Sequence, residues 1–367
     1  MSNSIRHDAE AEPVTPARVV RETKPPPEFG KVFMASFNPE PPALVDGFAR
    51  RFYYLRLSLT DVCNFRCSYC LPNGYRPDGS RDFLSRDELR RVASAFVAAG
   101  TTKIRLTGGE PSMRRDLTSI IGDLKALDGL EKLVLTTNGY RLKQKAREWR
   151  EAGLDALNLS IDSLDPRQFQ LITGENRLKE ILDGLEAAWA AGFGQIKVNA
   201  VLLKGLNSHE LGNFLQWVKG TPIQLRFIEL METDEAQRGY FTRHHLRGET
   251  LRQQLVSEGW LLKPRLPDDG PAQVYLHPDY QGEVGLIMPY GEGFCDNCNR
   301  LRVSALGQLH LCLFGDGGID LRDLLTTDQQ LPELQQRIQQ ALQHKLRTHR
   351  LHEGNPGVRQ HLASIGG

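Results

Sequence analysis

The sequence predicts an α/β fold built on a partial barrel of six β/α units, followed by a C-terminal α+β extension. Two observations lead there. Short apolar strand-like runs alternate with amphipathic helix-like runs from residue 51 to about 245, which favours a parallel sheet with helical crossovers. After about 245 the rhythm gives way to a short helix and turn-rich runs that read as short antiparallel strands. At 367 residues the chain is long enough for two domains at roughly 150 residues each.

Taken in order, eight of the 20 prolines fall before residue 46, with weak apolar periodicity. Residues 1–45 are therefore expected to be a disordered Pro-rich extension. Residues 46–245 are expected to form the core barrel and 246–367 an auxiliary domain. The strand candidates are 52–59, 103–107, 132–137, 156–161, 196–203 and 223–230. Ser85-Arg-Asp-Glu88 is a capping-box pattern. It opens a helix whose apolar face carries Leu89, Val92, Ala93, Phe96 and Val97 and which ends at Gly100. Further helices are expected near 116–127, 141–152, 177–191, 208–219 and 249–259. Leu331, Leu334, Ile338, Leu342 and Leu346 form one helical stripe, read as packing. In such a fold functional residues gather at the C-terminal ends of the strands.

Composition excludes several functions. Forty-six basic against 45 acidic residues leave a net charge of +1. A nucleic-acid coat or polybasic membrane anchor needs a large basic surplus. No stretch approaches the ~20 apolar residues of a membrane span, and the N-terminus has no secretory h-region. No nucleic-acid or membrane partner is expected. The six cysteines form two triplets with none left over, and in a chain that reads as cytoplasmic such clusters bind metal more often than they form disulfides.

Cys63-x3-Cys67-x2-Cys70 follows the first strand. Three thiolates can hold three irons of a [4Fe–4S] cube and leave the fourth open to a small molecule. Zinc is the competing reading, although structural zinc sites want four ligands and no fourth Cys or His lies nearby in sequence. Cys295-x2-Cys298-x13-Cys312 repeats the pattern, and here a zinc site completed by His310 remains open. Arg56, Arg105, Lys197 and Arg226 stand at corresponding positions on four strands. Cations are costly to bury alone, so four together point to an internal anion or to internal ion pairs.

The first triplet, with Tyr69 before its last cysteine, and Thr107-Gly108-Gly109-Glu110-Pro111 at the end of strand two resemble the radical S-adenosylmethionine superfamily. Two glycines let the backbone approach a ligand closely. The wider set, LRLSLTDVCNFRCSYCLP, IRLTGGEPSMRRDL, LTTNGYRL, NLSIDSLD, IKVNAVL, IQLRFIELM, FCDNCNRLRVSALGQLHLCLFG and a terminal Gly366-Gly367, closely resembles the GTP 3′,8-cyclase family, molybdenum cofactor biosynthesis protein A, from about residue 46 to the end.

The resemblance implies a TIM-type radical S-adenosylmethionine barrel and an extension carrying a second [4Fe–4S] cluster. Cys63, Cys67 and Cys70 would hold the first cluster and Cys295, Cys298 and Cys312 the second, whose open iron takes the guanine of GTP. Tyr69, Gly109, Ser160 and Met231 would contact S-adenosylmethionine. Arg56, Arg105, Thr136, Lys197, Arg300, Leu301 and Arg302 would contact GTP, with Lys103 and Arg226 as further basic residues. The implied reaction is the first step of molybdenum cofactor biosynthesis. A 5′-deoxyadenosyl radical removes hydrogen from ribose C3′, and that carbon bonds C8 to give (8S)-3′,8-cyclo-7,8-dihydroguanosine 5′-triphosphate. No side chain is assigned as a catalytic acid or base, because the cofactors carry the chemistry. The implied partners are an electron donor and a cyclic pyranopterin monophosphate synthase that consumes the product. The chain would act as a monomer or homodimer, its Gly-Gly tail reaching the active site. A peptide- or RNA-modifying relative and a double-zinc nucleic-acid module are the competing functions.

Overall fold

The computed structural model describes residues 43–77, 82–233, 237–266, 269–315, 317–357 and 362–365. The predicted N-terminal extension, except its last three residues, and the terminal Gly366-Gly367 lie outside the described residues. Leu44 is already buried in the core and Val45 bridges Arg51.

Six parallel strands form as the periodicity predicts: β1 (Tyr54–Ser58), β2 (Lys103–Thr107), β3 (Lys132–Thr137), β4 (Ala156–Ser160), β5 (Ile196–Leu202) and β6 (Gln224–Glu229). Between them run α1 (Arg86–Ala98), α2 (Leu117–Lys125), α3 (Leu142–Glu151), α4 (Pro166–Thr173), α5 (Leu178–Ala190) and α6 (Leu211–Gly220). The capping box on α1 is present, with Ser85 accepting from the Glu88 amide and the Glu88 carboxylate from that of Ser85. Gly100 follows in the left-handed conformation. Sequence reading missed α4, an eight-residue helix started by the Asp165 cap and Pro166 and stopped by Gly174 at φ 76°.

The strands carry one repeated design. Residues such as Leu55, Leu57, Ile104, Leu106, Leu133, Leu135, Leu157, Leu159, Val198 and Leu225 are buried in the core that the helices cover. The alternate residues include Arg56, Arg105, Asn199 and Arg226, which line the cavity inside the sheet. Period-two alternation thus places hydrocarbon under the helices and polar groups within.

The C-terminal segment departs from expectation. After α7 (Arg238–His244), which precedes it, the segment contains α8 (Gly248–Ser257), β7 (Leu261–Leu262), β8 (Gln273–Leu276), β9 (Glu283–Ile287), β10 (Arg300–Val303), β11 (Gln308–His310), β12 (Ile319–Asp320) and α9 (Leu331–Leu342). Its strands are not all antiparallel. β9 pairs parallel with β6, and β10 pairs parallel with β1. The result is one open sheet ordered β12-β11-β10-β1-β2-β3-β4-β5-β6-β9-β8-β7. Local periodicity cannot report this, because parallel partners are chosen by distant chain. The expected stripe also shortens: α9 ends at Leu342, and Leu346 stands 60% exposed.

Candidate functional site

The first cysteine loop leaves the end of β1 and is fixed from several sides. Thr107-Gly108-Gly109 runs directly against it. A Cβ on Gly108 would stand 2.2 Å from the Thr60 carbonyl oxygen, and one on Gly109 2.4 Å from that of Val62. The two glycines are therefore required by backbone-on-backbone packing with the cysteine loop. Glu110, fully buried, accepts hydrogen bonds from the Ser112 amide (3.0 Å), the Thr137 hydroxyl (2.8 Å) and the Asn138 amide (2.7 Å). It ties the ends of β2 and β3 together. Asp162, beyond β4, accepts from the Tyr69 hydroxyl (2.8 Å) and the Val201 amide (2.8 Å), and burial raises its carboxyl to about 6. Ser68 and Tyr240 share a hydrogen bond of 2.8 Å, so α7 packs on the loop as well.

Cys63, Cys67 and Cys70 line one cavity together with Tyr69, Gly109, Ser160 and Met231. Thr136, expected at GTP, lines this same cavity. Burial pushes the Cys63 thiol up to about 12 and Cys70 to about 11, and raises Cys67 well above the usual range.

A second cavity is lined by Cys295, Cys298 and Cys312 with Arg56, Arg105, Arg300 and Arg302. It shares Asn199, Ile228 and Met231 with the first, so the two adjoin inside the sheet. Cys298 behaves oppositely to the first triplet. Burial raises its thiol, but Arg300, Lys345 and Arg50 outweigh burial and bring it down to about 7. Burial also lowers Arg56, Arg105 and Arg226, the last to about 9, and the cations depress one another. Tyr54 stands among them. Burial raises its phenol, yet Arg105, Arg56, Lys103 and Arg226 together leave it lowered. Gly285 faces Arg226, and a Cβ there would come within 2.8 Å of the arginine Cγ.

Two expected GTP residues lie elsewhere. Lys197 lines a neighbouring cavity with Lys132, Gln195 and Gln224 near the starts of β3, β5 and β6. Burial and the adjacent Arg226, Lys103 and Arg105 lower it to about 7. Leu301 is buried in the core between Arg300 and Arg302, because alternation turns it to the opposite face. Its side chain is not among those lining the second cavity. Tyr54, Asn199, Asp162, Glu229, Lys345 and His349 line these cavities without having been singled out. Tyr54 and Asn199 could have been found, since each stands two residues from a cation on its own strand.

Both donor sets fit a cluster with one open iron. Three cysteine thiols reach each cavity. Among the described residues no three Cys, His, Asp or Glu side chains gather tightly around a single ion, whereas a cube gives each thiolate its own iron. His310, the fourth ligand of the zinc reading, is not among the residues that line this cavity with the three cysteines. His349 does line it, but its Nε2 is engaged by the Pro289 carbonyl (2.9 Å) and its Nδ1 by the Leu351 amide (3.3 Å). The C-terminal segment passes between the cavities. Leu362 and Ala363 line the first, their amides bonding Cys70, and the Ile365 carbonyl accepts from Arg302 (3.5 Å) in the second.

Comparisons with known proteins agree with this architecture. Residues 57–218 match the Radical SAM superfamily model and residues 223–351 the Molybdenum Cofactor Synthesis C model. A GTP 3′,8-cyclase of Aeromonas hydrophila subsp. hydrophila is 62% identical over 347 residues, covering 93% of this chain and 99% of its own. That of Tolumonas auensis is 62% identical over 342 residues, with the same coverage. That of Yersinia pestis is 60% identical over 324 residues, covering 88% and 99%. Among solved structures, Streptococcus suis SuiB bound to S-adenosylmethionine superimposes with a TM-score of 0.55 at 13% identity, over 77% of this chain and 68% of that one, a likeness of fold. With identity at this level running the length of its relatives, the chain belongs to the GTP 3′,8-cyclase family within the radical S-adenosylmethionine superfamily.

Proposed function

We propose that this chain converts GTP to (8S)-3′,8-cyclo-7,8-dihydroguanosine 5′-triphosphate, the first step of molybdenum cofactor biosynthesis. One observation carries the reading: two cysteine triplets face two adjoining cavities, one of them lined by buried arginines. Cys63, Cys67 and Cys70 would hold the cluster that binds S-adenosylmethionine, and Cys295, Cys298 and Cys312 the cluster that meets the substrate. When bound, these groups supply the one-electron chemistry that removes hydrogen from ribose C3′.

The chain's own residues bind, orient and shield. Tyr69, Gly109, Ser160 and Met231 border the S-adenosylmethionine side. Asp162 holds Tyr69, and Glu110 holds the loops beneath. Arg56, Arg105, Arg300 and Arg302 offer forked donors to the polyanion in a setting with little water to screen them. Arg226 adds to that cationic surface, and Lys197 lines a neighbouring cavity. The Leu362–Ile365 segment covers the passage between cavities and limits water there. Met231, common to both cavities, stands where the two ligands would meet.

Residues 46–245 carry the first cysteine triplet and 246–367 the second, each cavity drawing lining residues from both, with no role given to 1–45. Both cavities are built from one chain, so the reading needs no second copy. It does need an electron donor and, downstream, a cyclic pyranopterin monophosphate synthase. Six uncrosslinked cysteines suit a reducing compartment such as the cytoplasm. Among the described residues no helix is long and apolar enough to cross a membrane.

The test is oxygen-free preparation followed by iron, sulfide and zinc analysis, then turnover with GTP and S-adenosylmethionine. About eight irons per chain and the cyclised nucleotide are expected. Cys63→Ser should abolish S-adenosylmethionine cleavage, and Cys298→Ser should impair GTP turnover while the first cluster remains. Normal product from the Cys298→Ser variant overturns the two-cluster reading.

A further inference from the structure

Three residues past the end of α9, Lys345 enters the second cavity. Only 6% of it is exposed. Its ammonium donates to the Leu311 carbonyl, one residue before Cys312, and stands 5.5 Å from the centre of the Phe52 ring. Among the described residues no carboxylate pairs with it. Another buried cation at this triplet, Arg50, is built differently. Asp46 neutralises it at 2.7 Å, and its remaining donors hold the Cys295 (3.0 Å), Arg347 (2.7 Å) and Leu346 (2.8 Å) carbonyls. Arg50 thus staples the Leu346–Arg347 segment to the cysteine loop with no net charge, while Lys345 is left with a full one.

A buried ammonium answered only by a carbonyl and a ring lacks its counter-charge. A cube held by three thiolates is net negative, and more so once reduced, so it supplies the missing partner. Nearby charge and hydrogen bonding are the protein's means of setting a cluster's potential. We infer that Lys345 is the counter-charge of the cluster at Cys295, Cys298 and Cys312, and that it sets how readily that cluster accepts an electron. This rests on the cluster reading above. Lys345 acts as a positioning residue with a charge, and GTP need not be present for its effect.

The test uses the full chain with Cys63, Cys67 and Cys70 changed to alanine, so that only the second cluster forms. About four irons per chain are expected; failure to load here overturns the cluster reading itself, whatever Lys345 does. Lys345→Met and Lys345→Gln are then compared without GTP by spectroelectrochemical titration with dithionite, one electron per cluster. Gln keeps a donor for the Leu311 carbonyl and loses the charge. Both should shift the one-electron equilibrium about tenfold toward the oxidised cluster, about 59 mV more negative. Unchanged potentials at unchanged iron content overturn the inference, as does a Gln variant that behaves like wild type. If both neutral variants fail to load, Lys345→Arg decides. Retention by Arg supports the need for charge, and loss in Arg as well refutes it.

Discussion

Replacing Arg226 with methionine is expected to stabilise the protein while weakening its hold on GTP. Arg226 sits on β6 with 4% of its surface exposed, and among the described residues its Nε and Nη2 have no hydrogen-bond partner. Burial and the neighbouring Arg105 bring its guanidinium down from 12.5 to about 9. At 1.36 kcal/mol per pH unit this corresponds to about 5 kcal/mol of disfavoured charge, an upper limit. Relaxation and water entry reduce such penalties, and exchanging buried charged groups for well-packed apolar ones returns up to about 1–4 kcal/mol. Methionine is of similar length and flexible enough to fill the space facing Gly285. A gain of about 2 kcal/mol, or a Tm higher by roughly 3 °C, follows for a chain of this size. The same change removes a charged donor worth about 1.5–3 kcal/mol to a bound phosphate, so GTP affinity should fall about 10- to 100-fold. Oxygen-free scanning calorimetry and titration calorimetry with GTP measure the two effects. A variant that melts below wild type and binds GTP equally well would show that Arg226 is structural.

Other outcomes follow from the same geometry. Gly109→Ala places a methyl group into the Val62 and Asp61 carbonyls; it should displace the cysteine loop and cost at least tenfold in S-adenosylmethionine affinity, while GTP binding changes little. Lys197 has a folded value of about 7, below its ordinary 10.5. Between those values the unfolded chain binds the extra proton, so this group makes stability rise with pH across the window. Lys197→Met should remove that slope, as thermal melts across the window would measure, while GTP affinity stays within about twofold because Lys197 lines a cavity apart from the cysteines. Asp162→Ala frees Tyr69 and the Val201 amide; S-adenosylmethionine affinity should drop about tenfold or more with the iron content intact, as equilibrium binding and iron analysis would reveal.

What the sequence determined by itself is local. Six strands and their helices were legible because hydrocarbon repeats every second residue in Leu55–Leu57 or Leu133–Leu135 and on one face of α1. The cysteine spacings and the cations at Arg56, Arg105 and Arg226 were legible because each is a short pattern within one element. The tertiary structure decided what those patterns face. It paired β9 with β6 and β10 with β1, bringing Arg300 and Arg302 into register with Tyr54 and Arg56. It turned Leu301 into the core and set Lys197 in a separate cavity. It showed that Gly108 and Gly109 answer to the backbone of the cysteine loop rather than to open space. It also brought Lys345, Asp162 and the Leu362–Ile365 segment to the cavities from distant parts of the chain. Periodicity records which side of an element is apolar, whereas the neighbours of a parallel strand and the partner of a buried charge are fixed only when remote segments pack.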